Sequence, residues 1–271
     1  MDRLPALPKR KPDAHKGDCG RVLIIAGSRG MAGAAVLAAN GAYRGGAGLV
    51  TLSVPEDIFN VVASLQVCAI VRPWPLDVAP EADAVAIGPG LGLSPATGES
   101  VRQYVAQSEL PLVIDADALN AFKDQPDRLA NGKSPRILTP HPGELARLTK
   151  STPAAIHRHR RTSAEEAAQR FKSVVVLKGR GTVITDGKRT RVNETGNAGL
   201  ATGGTGDVLT GLITALLGQG LNPFDAASLG VHLHGRAGDL AAEKLGVHSV
   251  MATDVLDHLP AAFLEHGRSS R

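Results

Sequence analysis

The chain's 271 residues suffice for one large α/β domain, and its 43 % hydrophobic content supports a core that 3 % aromatics leaves mostly to Ala, Val, Leu and Ile. A formal net charge of +4, from 30 Lys and Arg against 26 Asp and Glu, favours small anions as ligands. It is too mild to point to nucleic acid, and the few aromatics leave no platform for base stacking. Residues 1–14 read as an extended arm, Pro- and Lys-rich and unlike a signal peptide. No apolar stretch approaches the ~20 residues that span a bilayer. Cys19 and Cys68 show neither metal-ligand spacing nor a disulfide framework. A cytoplasmic location, with no membrane partner, is the expectation.

Residues 21–26 form a short apolar run of the kind buried in a parallel sheet, followed by a glycine loop at 27–33 and an Ala-rich helix at 34–43. A strand at 49–54 completes a strand–helix–strand unit. The pattern repeats: strand 84–87, loop 88–92, helix 95–106, strand 112–114, strand 137–138, helix 153–171 and strand 174–177. Asp186-Gly187 between 183–185 and 189–192 is a hairpin signal. Helices are expected at 208–217, 223–245 and 253–264, with a frayed tail at 266–271. Strands alternate with helices throughout and no linker interrupts them. The expectation is a single domain over 1–271, with a doubly wound, mainly parallel sheet and an antiparallel hairpin near one edge.

Polar and glycine-rich clusters fall at the C-terminal ends of the strands, at 27–33, 88–92, 115–120, 139–144 and 178–182. That edge is where open α/β sheets bind ligands. A sixth cluster, residues 197–207, ends in Gly203-Gly204-Thr205-Gly206-Asp207 and opens the apolar helix at 208–217. Glycines let a backbone approach an anion, and a helix N-terminus offers free N–H groups. Asp207 is then a proton acceptor or a metal-water ligand beside that anion, or simply a helix cap. Other clusters also carry two readings. Gly88 to Gly92 reads as a tight turn, or as backbone packed flat against a ligand ring or phosphate. Asp115, Asp117 and Asn120 read as metal-water ligands, or as a cap with Asp115 solvated. His141, stiffened between two prolines, reads as a ligand contact. Glu144 reads as N-terminal helix polarity or as a group reaching a metal water. Lys178 reads as a phosphate contact, or as a side chain snorkelling to solvent. The basic run His157 to Arg161 reads as a solvated face, and His232 and His234 as core or interfacial groups.

Taken together, these clusters resemble the ADP-dependent NAD(P)H-hydrate dehydratase family. The matching pieces are His15-Lys16-Gly17 with Gly20, Gly27-Ser28 with Gly33-Ala34-Ala35, and Gly45-Gly46-Ala47-Gly48. They continue with Gly88-Pro89-Gly90-Leu91-Gly92, Asp115 to Asn120, Thr139-Pro140-His141-Pro142-Gly143-Glu144, Lys178-Gly179 with Thr182, and Gly196 to Asp207. They cover residues 15–259 in family order. Thr139 to Glu144 and Asn197 to Thr202 are the more specific elements, since the Gly-Gly-Thr-Gly-Asp turn is shared with many kinases. Leu200 stands where the family often has Met, a volume-conserving change.

The resemblance implies a ribokinase-like three-layer sandwich with helices on both faces of the sheet. It implies dehydration of the S epimer of hydrated NADH or NADPH, with ADP as phosphoryl donor and NAD(P)H, AMP and phosphate as products. Asp207 would be the general base, with the Gly204 and Gly206 amides stabilising the transferring group. Ala34 or Ala35, Gly90, His141 and Asp207 would touch the hydrated nucleotide. Lys178, Gly179, Arg180, Gly181, Thr182 and Gly206 would hold the AMP part of ADP. Mg2+ is implied without an assigned ligand, as are a homotetramer and a functionally linked epimerase on a separate chain. A ribokinase-like kinase acting on a vitamin-precursor alcohol is the alternative. Thr139 to Glu144 and the absence of a kinase lid speak against it. A nucleotide sensor that has lost catalysis is a further alternative, and the retained Asp207 opposes it.

Overall fold

The structure is a computed structural model that describes residues 3–75 and 81–269. Seven strands are parallel: β1 (Arg21–Ile25), β2 (Leu49–Pro55), β3 (Ile70–Trp74), β4 (Ala84–Ile87), β5 (Leu112–Ile114), β6 (Arg136–Leu138) and β7 (Val174–Leu177). The antiparallel hairpin β8 (Val183–Thr185) and β9 (Thr190–Val192) extends the β7 side, giving one sheet in the order β3-β2-β1-β4-β5-β6-β7-β8-β9. The order reverses between β1 and β4, so the chain leaves those two strands in opposite directions and opens a crevice at their C-terminal ends.

Apart from Arg21 at the start of β1, the central strands β1, β4, β5 and β7 are apolar at every position because both faces are covered. Val22, Ile24, Ala84, Ala86 and Val113 enter one core, while their neighbours Leu23, Ile25, Val85, Ile87 and Ile114 enter the other. The first core is covered by α1 (Ala32–Arg44), α8 (Thr205–Gly218), α9 (Pro223–Leu245) and α10 (Ala252–Ser269). The second lies under α3 (Pro95–Gln107), α4 (Ala116–Asn120), α5 (Pro142–Thr149), α6 (Pro153–Arg158) and α7 (Arg160–Phe171). The result is the expected three layers. Helix α8 runs at the centre, nearly all buried, and its close packing on α1 depends on small residues. A Cβ at Gly211 would overlap the Ala38 carbonyl of α1.

Several elements differ from expectation. Strand β3 and the short helix α2 (Phe59–Leu65) were not foreseen, because β3 is an exposed edge interrupted by Arg72 and Pro73. The helix expected at 153–171 is two helices, parted where His159 leaves helical geometry at ψ 45°. The tail is not frayed through residue 269. It is the last turn of α10, where buried His266 places Nε2 2.9 Å from the Pro5 carbonyl of the arm. Residues 270 and 271 lie outside the described residues. Residues 3–11 of the arm carry no helix or strand, and Arg10 donates to the Gly46 carbonyl at 2.7 Å. Among the described residues no helix is long and apolar enough to cross a membrane.

Candidate active site

The crevice between β1 and β4 is stitched by backbone. Gly27 N donates to the Pro89 carbonyl at 2.8 Å, joining the two loops that follow these strands. Gly90 takes the left-handed φ of +61°, and a Cβ there would lie 2.8 Å from the Ala34 Cβ. Ala34 and Gly90 are therefore brought together, and Ala34 is half-buried. Ala35 is not available in the same way. It is 0 % exposed, packed beneath the Gly27 loop, so it is a core residue and offers a ligand no surface.

Next to this wall stands the turn that opens α8. Gly204, at φ +90°, is its N-cap, and Ala201 to Gly203 lie exposed at the surface. Thr205 fixes the turn by donating its hydroxyl to the carbonyls of Leu200 at 2.9 Å and Thr202 at 3.1 Å. The lead-in is tied to α9: Asn197 accepts from Gly199 N at 2.8 Å and donates to Gly238 O and Asp239 Oδ1, both at 2.9 Å. His234 of α9 is buried and bonds the Thr205 carbonyl at 2.9 Å. Desolvation pushes its pKa down to about 4, so the ring is neutral at pH 7.

Asp207 sits in the first turn of α8, half-buried. Burial pushes its pKa up to about 7, Asp115 and Asp117 add to the rise, and Lys178 opposes it. Lys178 follows β7, and a Cβ on Gly206 would lie 3.6 Å from its Nζ. Its ammonium is therefore beside the glycine turn and does not simply snorkel to solvent, though a fifth of the side chain is exposed. Burial alone disfavours the ammonium, but Asp115, Glu144 and Asp207 more than offset it and hold the Lys178 pKa above the usual lysine value. Asp115 is 1 % exposed rather than solvated. Its Oδ1 accepts from Lys178 Nζ at 2.6 Å and its Oδ2 from Thr210 Oγ1 at 2.7 Å.

His141 and Glu144 form a reciprocal cap on α5. The His141 Nδ1 accepts from Gly143 N at 3.0 Å, and Glu144 Oε2 accepts from His141 N at 2.8 Å. A neutral ring that accepts at Nδ1 carries its proton on Nε2. Half the His141 side chain is exposed, at the rim. Burial lowers its pKa, and Lys178 and Arg147 lower it further. Glu144 is buried, and desolvation raises its pKa against the pull of Lys178, whose Nζ is 4.0 Å away.

The loop after β7 carries Gly179, Arg180, Gly181 and Thr182. It is shaped by Arg160, whose Nη2 donates to the carbonyls of Leu177 at 2.8 Å and Lys178 at 3.1 Å. Arg160 thus leaves the solvated basic run, while His157 and His159 remain exposed as expected. Thr182 Oγ1 closes the loop on the Gly179 carbonyl at 2.9 Å. Beside the site, a cavity of about 580 Å³ lies between α3 and α4, with Gly92, Asp117, Asn120 and Arg147 in its wall. Asp207 and Lys178 do not line it.

Of the residues read as metal-water ligands, Asp115 and Asp117 have protein partners. No group of three His, Cys, Asp or Glu able to hold a metal occurs among the described residues. Asp115 already has both oxygens engaged, and Asp117 Oδ2 accepts from Gly92 N at 2.8 Å. Thr210 and Arg160 were missed in the sequence. Thr210 lies three residues beyond Asp207 on α8, a spacing that puts the two on one face and could have drawn attention to it.

An acid titrating near neutrality, an ammonium beside it and open amides at a helix N-terminus equip this edge for transfer to or from an anion. A mainly parallel sheet with such an acid at the head of a glycine-led helix defines a ribokinase-like protein. A ribokinase-like superfamily protein from Enterococcus faecalis has the same fold, at 27 % identity and a TM-score of 0.86 over 97 % of this chain and 93 % of that chain. The sequence pattern of the NAD(P)H-hydrate dehydratase family matches residues 22–261. The chain is 44 % identical over 271 residues to the bifunctional NAD(P)H-hydrate repair enzyme Nnr of Moorella thermoacetica, a match taking in 94 % of this chain and 51 % of that protein. It spans about half the length of the curated relatives it matches. The ADP/ATP-dependent NAD(P)H-hydrate dehydratase from Bacillus subtilis, co-crystallised with ATP/Mg2+, is 33 % identical with a TM-score of 0.86 over 96 % of this chain and 95 % of that chain. The chain belongs to the NAD(P)H-hydrate dehydratase family.

Proposed function

We propose that the chain is an ADP-dependent hydro-lyase that restores NADH and NADPH from the S epimers of their hydrates. The observation that carries this is the juxtaposition of Asp207, titrating at about 7, with Lys178 and the glycine turn of α8. Asp207 takes the proton of the ring hydroxyl as the oxygen attacks the β-phosphoryl group of ADP, and AMP leaves. The amides of Gly204 and Gly206 and the N-terminus of α8 stabilise the transferring charge. The ring nitrogen's electron pair then expels phosphate, the C–O bond breaks, and loss of a proton from the adjacent carbon re-forms the ring double bond. Water is thus removed at the expense of one phosphoanhydride.

Gly90 and Ala34 form the wall against which the hydrated ring packs, with His141 at its rim. Lys178 and the loop through Gly179, Arg180, Gly181 and Thr182, with Gly206, hold the AMP part. Mg2+, which would neutralise phosphate charge when bound, would come with the nucleotide, since no cluster of protein ligands occurs among the described residues. The R epimer enters this reaction only after epimerisation. Two free cysteines suit a reducing cytoplasm. The homotetramer rests on family resemblance alone; light scattering on the purified chain should give four times the chain mass, and a monomer would remove it. Product analysis after incubation with hydrated NADH and ADP should give AMP, phosphate and NADH in equal amounts. A small-molecule kinase would instead leave its phosphate on a stable ester.

A further inference from the structure

Asp115 is the most deeply buried acid at this edge, and the reaction above gives it no task. Both of its oxygens are occupied, by Lys178 Nζ at 2.6 Å and by Thr210 Oγ1 at 2.7 Å. Thr210 is 0 % exposed and sits on the same helix face as Asp207. Lys178 therefore has several acids to choose from. Glu144 is 4.0 Å away and is held in place by the His141 amide. Asp207 lies within its electrostatic reach. A four-carbon stem lets an ammonium close on whichever carboxylate is free. Closed on Asp207, it would neutralise the base by pairing. Fixed on Asp115, it relieves the more deeply buried charge, stays beside Gly206 and leaves Asp207 free to take a proton.

We propose that Asp115, braced by Thr210, is a positioning residue that clamps the Lys178 ammonium beside the 203–206 turn and keeps it off Asp207. This rests on the reading of Asp207 as the base. The charged and titratable groups around Asp207 are Asp115 at the end of β5, Asp117 of α4 and Lys178 at the end of β7. Beyond them, Glu144 and His141 of α5 and neutral His234 of α9 each sense Lys178.

The test is Asp115→Asn in the full chain, which keeps the side-chain shape and removes the charge. Carbon-13 NMR of the Asp207 carboxyl, recorded without substrate, should show its titration midpoint falling by about one pH unit or more. The acid limb of kcat/KM should move down with it, and kcat should fall about ten-fold or more while KM for hydrated NADH stays within about three-fold. Thr210→Val should shift the midpoint in the same direction by less, and Thr210→Ser should restore it. If circular dichroism shows that Asp115→Asn does not fold, the two Thr210 variants carry the test. The Asp115 charge by itself raises the Asp207 midpoint, so its loss lowers that midpoint with or without the clamp. Thr210→Val removes no charge, and an Asp207 midpoint that does not move in folded Thr210→Val overturns the clamp, whatever happens to turnover. A wild-type chain inert toward hydrated NADH overturns the proposed function instead, and the NMR titration still decides the clamp.

Discussion

Asp207 controls two quantities with opposite signs. As the proposed base it would work deprotonated, so kcat/KM should rise with pH through about 7 and level off above. Its contribution to stability runs the other way. The folded state holds this proton more tightly than an unfolded chain does, so the stabilisation is complete below the ordinary carboxylate value of 3.8 and is lost as pH rises through about 7. A displacement of about three pH units corresponds to about 4 kcal/mol. Asp207→Asn should lose ~10²–10⁴ in turnover. It should also unfold at higher temperature than the parent near pH 8, with the gain vanishing near pH 4. Thermal melts at both pH values, alongside rates, check this. A variant with near-parental turnover removes the base assignment, and equal melting at alkaline pH removes the buried-acid account. Sequence pointed to Asp207 through its neighbours, Gly203 to Gly206. It could not reveal that Asp115 and Lys178, 63 residues apart, form one ion pair. Nor could it show Arg160 turned inward, because an arginine in a basic run reads as solvated until the carbonyls it serves are known.

At the scale of elements, residue type mattered wherever both faces of the sheet are covered. β1, β4, β5 and β7 were legible as apolar runs, and the hairpin as Asp186-Gly187. β3 was not, since an edge strand with Arg72 and Pro73 lacks that pattern. The break at His159 was hidden because a helical residue pattern continues across it. The junction of α1 and α8 was also illegible, although it positions Asp207. α8 lies close against α1 because Gly211 admits the Ala38 carbonyl and Gly41 admits the Val208 carbonyl. Gly211→Ala should push the helices apart and cost about 1–3 kcal/mol, with turnover per folded molecule reduced as the α8 turn shifts. Denaturant unfolding checks the first part. An unchanged midpoint would show that the helix pair can absorb a methyl group.

At the scale of the whole molecule, the alternation of strands and helices already placed five polar clusters on one edge of the sheet. The structure gathers their residues into two groups, Ala34 with Gly90, and Asp115 with His141, Glu144, Lys178 and Asp207. Ala35, expected beside Ala34 against the ligand, falls into the core instead. The chemical claim for that edge is that a carboxylate and a phosphoryl donor together convert a poor leaving group into a good one. The most direct measurement is the return of reduced-nicotinamide absorbance when the full chain is mixed with hydrated NADH, with and without ADP, beside Asp207→Asn. Absorbance should recover with the parent chain only when ADP is present, and not with the variant. No recovery by the parent with ADP, or equal recovery without it, would contradict the account.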